Sequence, residues 1–188
     1  MAQARVNIVV PMAGGALISK IHKGLMELER IGLIRGPVPT RLYGAQAAGC
    51  NPIVEAVKRG SIDIRPVKPN TIAKSLAIGN PADGYYAAGF IMKTGGAADD
   101  VTDQEICDGI QLLAENEGIF TETAGGVAVG VTKKLVEQGK IDRKGITVVA
   151  ITGNGLKTPE AVSLRAPHVI DAKIDAFEEL VKGVAHVA

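Results

Sequence analysis

Apolar residues are distributed along this chain in two alternating patterns. Short, mainly apolar runs predict strands at residues 6–10 and 146–151, and residues 41–44, Arg-Leu-Tyr-Gly, are a third candidate, with residues 119–120 a further short one. Between these runs, apolar residues recur every three or four positions, as they do on one face of a helix. Such alternation is typical of β–α units that build a parallel sheet. We therefore predict an α/β fold, a three-layer parallel sheet with helices on both faces.

The predicted helices are bounded by residues that start or stop helices. The first apolar stripe, within residues 18–28, should end near Gly32, because prolines soon follow. Residues 102–105, Thr-Asp-Gln-Glu, have the form of a capping box and predict another helix start. Residues 65–70 contain two prolines and predict an extended connector. The other helices are predicted to begin at or just after Asn51, Thr71, Asn80, Glu122 and Ile170 and to end near Gly60, Ile78, Gly95, Leu135 and Val181.

The composition indicates one globular domain. The chain has 188 residues, 46% of them hydrophobic, and 21 basic against 20 acidic side chains, for a formal net charge of +1. Mixed charges and only 3% aromatic residues give little support to nucleic-acid binding. We find no membrane-spanning run and no signal peptide in the sequence, and expect a cytoplasmic protein. Cys50 and Cys107 lack a metal-binding spacing and the three histidines are scattered, so we predict free thiols and no metal site.

The turn at residues 11–17 is the first candidate binding site. It follows a predicted strand, contains Gly14 and Gly15, and leads into a helix. A helix start of this kind presents free N–H groups and the positive end of the helix dipole to an anion. The spacing matches neither a dinucleotide-binding fingerprint nor a P-loop. Two interpretations stay open, a phosphate site and ordinary strand-to-helix packing.

Two further segments could face the same ligand. Residues 152–155, Thr-Gly-Asn-Gly, directly follow the predicted strand 146–151, and the Thr152 hydroxyl could hydrogen-bond a ring nitrogen without charging it. The alternative is that Thr152 only caps a turn. Glu122 precedes a run of small residues that would allow close approach of a ring or of another helix. Equally, Glu122 could simply be a favourable charge at a helix start.

Four short segments, in this order, carry a family resemblance. They are residues 10–15 (Val-Pro-Met-Ala-Gly-Gly), 43–52 (Tyr-Gly-Ala-Gln-Ala-Ala-Gly-Cys-Asn-Pro), 78–82 (Ile-Gly-Asn-Pro-Ala) and 152–157 (Thr-Gly-Asn-Gly-Leu-Lys). Together they resemble the threonine synthase family, and the resemblance runs from about residue 6 to residue 160. Related pyridoxal-phosphate dehydratases share the general plan, but the second and fourth segments favour the synthase.

The resemblance implies a fold type II pyridoxal-phosphate enzyme, a lyase that converts O-phosphohomoserine and water to threonine and phosphate. It implies no catalytic residue and no metal ligand within this chain. Thr152 would hydrogen-bond the pyridine nitrogen of the cofactor. The backbone N–H groups that would hold the cofactor phosphate belong to Ala13, Gly14, Gly15, Ala16 and Leu17.

The chain differs from the family pattern in its length. In the family, the Schiff-base lysine and the smaller domain precede the glycine-bearing loop, and there is no room for them before Val6. We interpret Lys20, Lys23 and Lys74 as surface charges rather than substitutes. We therefore expect residues 1–188 to form one α/β domain, the carboxyl-terminal part of the larger domain of a truncated chain that is inactive alone.

Two alternatives to a threonine synthase fragment stay open. One is a non-catalytic module that binds pyridoxal phosphate or phosphate, and the other is a fragment of a related threonine or serine dehydratase. Loss of a covering domain would expose apolar surface. We therefore expect a homo-oligomer, or assembly with the missing amino-terminal segment, and neither nucleic acid nor membrane as a partner.

Overall fold

A computed structural model describes residues 6–34, 40–162 and 169–184, which form four strands and six α-helices. Single 3-10 turns lie at Lys74–Leu76, Gly155–Lys157 and Pro159–Ala161. In chain order, the elements are β1 (Val6–Pro11), α1 (Ala16–Arg30), β2 (Thr40–Ala47), α2 (Pro52–Lys58), α3 (Gly84–Lys93), β3 (Ala98–Val101), α4 (Asp103–Glu117), α5 (Thr123–Glu137), β4 (Ile146–Val149) and α6 (Ile174–Val184).

The four strands form one parallel sheet in the order β3-β2-β1-β4. Val9 and Tyr43 lie in a core that includes α4 and α5, whereas Val10 and Leu42 lie in a second core with α1, α2 and α3. Successive strand residues therefore point to opposite faces, and both faces carry helices. The predicted three-layer α/β fold is confirmed. That residues 1–188 form a single domain stays a prediction.

The sequence predicted β1, β2 and β4, missed β3 and added one strand that does not form; β2 is also longer than the predicted residues 41–44. β3 was missed because its sequence, Ala-Asp-Asp-Val, has no apolar run, although the strand is largely buried. The short candidate at residues 119–120 is not a strand, and only Thr121 makes an isolated antiparallel bridge, to Asn154. The predicted strand 146–151 ends two residues early, at Val149.

Three helix predictions were wrong in extent. No helix follows Thr71, because its hydroxyl donates to Asp103 Oδ1 at 2.6 Å and accepts from the Ala73 amide, a local turn that competes with helix formation. Only the 3-10 turn at Lys74–Leu76 forms there. Helix α3 begins at Gly84 rather than after Asn80. The last helix, α6, begins at Ile174 rather than at Ile170.

The capping box at the start of α4 is confirmed. The Thr102 hydroxyl accepts from the Glu105 amide at 3.3 Å, and the Glu105 carboxylate accepts from the Thr102 amide at 2.7 Å. Each side chain thus satisfies a backbone donor that the first helical turn leaves free. Among the described residues, no helix is both long and apolar enough to cross a membrane.

A buried carboxylate lies on β3, at one edge of the sheet. Asp99 is 4% exposed, and it accepts from Lys58 Nζ at 3.0 Å and from Gln138 Nε2 at 2.9 Å. Burial alone would raise the pKa of Asp99, but the hydrogen bonds from Gln138, Lys58 and the Asp100 amide outweigh burial and lower that pKa. Asp99 therefore links α2 and α5 to the edge strand as a charged group.

We predict that Asp99 makes the stability of the protein depend on acid pH. A carboxyl whose pKa is lower in the folded state stabilises fully above its unfolded pKa, and this stabilisation is lost as the pH falls through its folded pKa. The free energy of unfolding of the protein should therefore fall below about pH 4, and the gap to Asp99→Asn should shrink there. Urea unfolding at several pH values measures both. The exposed control Asp171→Asn should follow the unchanged protein, and a gap independent of pH would contradict the prediction.

Candidate functional site

The turn between β1 and α1 is held in a conformation that requires glycine. Gly15 has a φ of 88°, in the left-handed region that other residues rarely adopt. A Cβ atom at this position would also lie 2.8 Å from the Asp83 carbonyl oxygen and 3.1 Å from Ala87 Cβ. The glycine thus allows the turn to lie directly against the start of α3.

The carbonyl groups of this turn are bound by the surrounding scaffold. The Gly14 carbonyl accepts from the Asp83 amide at 2.9 Å, and the Gly15 carbonyl accepts from Ser19 Oγ at 2.8 Å. In a trans peptide, the N–H of the next residue points opposite to the carbonyl. The Gly15 and Ala16 N–H groups share peptide groups with the Gly14 and Gly15 carbonyls, and they are therefore directed away from the groups that bind those carbonyls.

The backbone amides of the turn have no acceptor in the part of the chain that the structure describes. Among the described residues, no hydrogen bond is donated by the backbone N–H groups of residues 13–17, whereas the flanking Met12 and Ser19 amides donate to Ala45 and Gly15. The first turn of α1 adds the positive end of its dipole. A row of free N–H groups at the start of a 15-residue helix is suited to bind an anion such as phosphate.

Both glycine-bearing turns face one cavity of about 290 Å³. Thr152 follows β4, the strand that pairs directly with β1. The two turns therefore lie at the carboxyl ends of two neighbouring parallel strands. Parallel sheets commonly bind ligands at the carboxyl ends of neighbouring strands. The cavity is lined by residues 11–18, Ser75, Leu76, Glu122, Ala124 and Thr152.

Glu122 fixes the second turn against the start of α5. The residue is 4% exposed, and its carboxylate pairs with Lys157 Nζ at 2.8 Å. A Cβ atom at Gly153 would collide with this carboxylate, and Gly153 also has a φ of 74°. Glu122 is the N-cap residue of α5, but its side chain caps no amide. Its carboxylate therefore has a defined partner within the fold, besides its place in the cavity wall.

The small residues after Glu122 allow a second helix to approach. A Cβ atom at Gly109 of α4 would lie 2.5 Å from the carbonyl oxygen of Gly126 in α5. Of the two partners that the sequence left open, a ring or a helix, α4 is the one seen at Gly126. Ala124, from the same run, lines the cavity.

No lysine lines the cavity among the described residues. Lys20 is exposed on α1, Lys23 pairs with Glu27 at 3.2 Å, and Lys74 donates to the Thr71 carbonyl at 2.7 Å. Ser19 and Asp83, which bind the carbonyls of the turn, were not found from the sequence. No local signal identifies Asp83, because it acts through its backbone amide.

Comparison with known proteins identifies the family. Residues 2–153 match the family of pyridoxal-phosphate dependent enzymes. Two similar curated proteins are the threonine synthases of Methanocaldococcus jannaschii, 41% identical over 180 residues, and of Methanosarcina acetivorans, 39% identical over 182 residues. These alignments cover 94% and 95% of this chain but 44% of each relative, so the chain spans less than half of their length.

Solved structures of this fold are also similar. An L-serine ammonia-lyase from Rhizomucor miehei has a TM-score of 0.61 at 22% identity, over 79% of this chain and 45% of that protein. The processed form of threonine deaminase isoform 2 from Solanum lycopersicum has a TM-score of 0.60 at 18% identity, over 87% and 46%. These likenesses support the fold, type II among pyridoxal-phosphate enzymes. The family match over residues 2–153 shows that this chain belongs to the pyridoxal-phosphate dependent enzymes.

Proposed function

We propose that the cavity between the two turns holds pyridoxal phosphate, with the phosphate on the amides of residues 13–17 and the ring extending toward Thr152. The observation that carries this proposal is the set of amides without acceptors in the turn between β1 and α1. The Gly14 and Gly15 carbonyls of the same turn accept hydrogen bonds from Asp83 and Ser19. An anion can accept hydrogen bonds from these N–H groups without competing with any hydrogen bond of the described residues. Thr152 lines the same cavity and offers one neutral hydroxyl.

Thr152 would set how strongly the bound ring draws electrons. Pyridoxal phosphate supplies an electron sink for negative charge that develops next to the substrate amino group. A hydroxyl at the ring nitrogen can donate or accept a hydrogen bond without stabilising a proton on that nitrogen. A carboxylate in the same place would stabilise the protonated ring. We therefore propose a ring that stays unprotonated, with Thr152 as the group that orients it.

We further propose that the complete protein is a threonine synthase, which converts O-phosphohomoserine and water to threonine and phosphate. Threonine synthases 33–41% identical to this chain support this activity. In this proposal, the described cavity wall would supply the amides for the phosphate and Thr152 for the ring, but it contains no lysine. The chain spans 44% of the length of the two relatives compared above. We therefore propose that the Schiff-base lysine and the substrate-binding groups come from a segment that corresponds to the rest of those relatives.

The dehydratase alternative predicts a different product. Dehydration and deamination of threonine or serine would give a 2-oxo acid and ammonia, whereas the synthase reaction gives threonine and inorganic phosphate. The chain should be assayed with pyridoxal phosphate, with and without a polypeptide that supplies the rest of a threonine synthase relative. We expect threonine and phosphate only from the combined chains. A 2-oxo acid as the main product would favour the dehydratase, and turnover by this chain alone would contradict the proposed division of the site.

Thr152→Val should separate ring binding from phosphate binding. The change removes the hydroxyl and keeps the side-chain shape, so affinity for pyridoxal phosphate should fall about three- to tenfold, the usual net effect of one hydrogen bond. Affinity for inorganic phosphate should stay unchanged, because the amides of residues 13–17 are untouched. Absorbance titration and phosphorus NMR measure the two affinities. Thr152→Ser should restore cofactor binding, and equal loss for both ligands would show that Thr152 only supports the turn.

The oligomeric state of the protein and its cellular location stay predictions. Apolar side chains are exposed on β4, at Ile146 and Val148, and on α6, at Ile174, Phe177 and Val181. Such surfaces support the expected homo-oligomer or assembly with a further segment. Sedimentation at several protein concentrations tests this expectation.

A further inference from the structure

A buried amide side chain connects β2 to the turn that carries the proposed anion site. Gln46 lies in β2 and is 0% exposed, among apolar neighbours such as Ala45 and Ala47. A buried amide must have its hydrogen bonds made within the protein, since a polar group left without a partner is costly. Its contacts therefore show what the fold uses it for.

Gln46 connects the start of α2 to Met12 in the turn. Its Oε1 accepts from the backbone amides of Ile53 and Val54, both at 3.0 Å. These two donors at a helix start require an acceptor, and this fixes which end of the Gln46 amide faces α2. The other end, Nε2, donates to the Met12 carbonyl at 3.4 Å.

This contact determines the direction of the first amide of the turn. The Met12 amide, which belongs to the preceding peptide group, donates to the Ala45 carbonyl at 2.8 Å, and the peptide group between Met12 and Ala13 is held by Gln46 at the Met12 carbonyl. Because a trans peptide directs its C=O and the following N–H in opposite directions, the Ala13 N–H points away from Gln46. Ala13 lines the cavity, and its amide has no acceptor among the described residues.

We propose that Gln46 is a positioning residue for the anion site: it holds the Met12 carbonyl so that the Ala13 amide stays directed at the anion. This inference rests on the proposed phosphate site and adds a residue that does not touch the ligand. Gln46, Asp83 and Ser19 then bind three carbonyls of the turn from three different elements. The loss of Gln46 should weaken anion binding while leaving the other amides in place.

Gln46→Glu tests the inference through a dependence on pH. The introduced carboxyl can still accept from Ile53 and Val54, but when ionised it presents an oxygen, not a donor, to the Met12 carbonyl. Burial and the facing Met12 carbonyl oxygen raise the pKa of the introduced carboxyl, and at this fully buried position we expect them to outweigh the Ile53 and Val54 amides, which lower it. When protonated, the introduced carboxyl can again donate to Met12. Sulfate is the suitable probe, because it remains a dianion over the range in which the introduced group titrates.

We expect the sulfate affinity of Gln46→Glu to be about tenfold below that of the unchanged protein near pH 8, and close to it near pH 5. The two proteins must be compared at each pH, because Glu55 and Lys58 on α2, Asp99 and Asp100 on β3, and Asp83 and Glu122 beside the cavity are common to both. Nitrogen-15 shifts of the Ala13 and Gly14 amides should show the same recovery. Isothermal titration measures the affinities.

Two further variants keep the result interpretable. Gln46→Met has a similar shape and no titrating group, so its affinity should be reduced equally at both pH values. Gln111→Glu makes the same chemical change at an exposed site on α4 and should bind sulfate like the unchanged protein. Circular dichroism confirms that each variant is folded. If the unchanged protein does not bind sulfate at these amides, the proposed site fails; if it binds and Gln46→Glu shows neither loss nor recovery, the role of Gln46 is overturned.

Discussion

Gly14→Asp should abolish phosphate and pyridoxal-phosphate binding without unfolding the protein. A Cβ atom at Gly14 would meet only Ile78 Cδ1, at 3.9 Å, which is ordinary contact, and Gly14 does not have a positive φ. A side chain therefore fits, but its carboxylate would stand among amides proposed to bind a phosphate. Two like charges about 4 Å apart near a protein surface repel by about 4 kcal/mol, so affinity should fall at least about a hundredfold. Isothermal titration with inorganic phosphate measures the loss.

The matched control is Gly14→Asn, which has nearly the same shape and no charge. It should retain most of the affinity, because the amides of the turn remain available. The repulsion should also weaken as salt is raised, since screening acts on partly exposed charges. Equal, small effects of Asp and Asn would show that the turn only packs strand against helix. Equal, large effects would indicate that any side chain at Gly14 blocks the cavity.

Most of the sheet could be predicted because its strands are apolar runs. β1, β2 and β4 each contain such a run, and the helices between them have clear stripes or caps, as at Thr102. β3 could not be predicted this way, because Asp99 and Asp100 interrupt it. The burial of Asp99 depends on Lys58 of α2 and on Gln138 at the end of α5, and Lys58 also pairs with the half-buried Asp100. Local patterns do not contain contacts of this kind.

The two turns of the proposed site could be predicted from the sequence, but the residues that bind the carbonyls of the first turn could not. Gly14, Gly15 and Thr152 follow apolar runs directly, and the parallel topology brings the two turns to one cavity. Gln46 is 34 positions from Met12, and the sequence segment that contains it contributed only to the family resemblance. The available signal was a polar amide among the small residues 44–47 at the end of β2. Such a residue must find partners when it is buried.

A large effect on stability is expected where α4 and α5 cross, because their backbones approach closely there. Gly109→Ala would place a methyl group 2.5 Å from the Gly126 carbonyl oxygen, which belongs to the backbone of the other helix. The helices must then move apart along a buried contact, which should lower the free energy of unfolding by about 2 kcal/mol or more. This cost exceeds the gain of about 1 kcal/mol that alanine usually brings to a helix interior.

Gly24→Ala measures the gain that alanine brings to a helix interior at a site where the new methyl group meets no neighbour. Gly24 lies in the interior of α1, and a Cβ atom there meets nothing within 4 Å. The same substitution should therefore raise the free energy of unfolding by up to about 1 kcal/mol, the opposite sign to Gly109→Ala. Urea unfolding followed by circular dichroism compares the two variants. If Gly109→Ala were also more stable than the unchanged protein, α4 and α5 would have to be farther apart in solution than this packing requires, and the small residues after Glu122 would need another explanation.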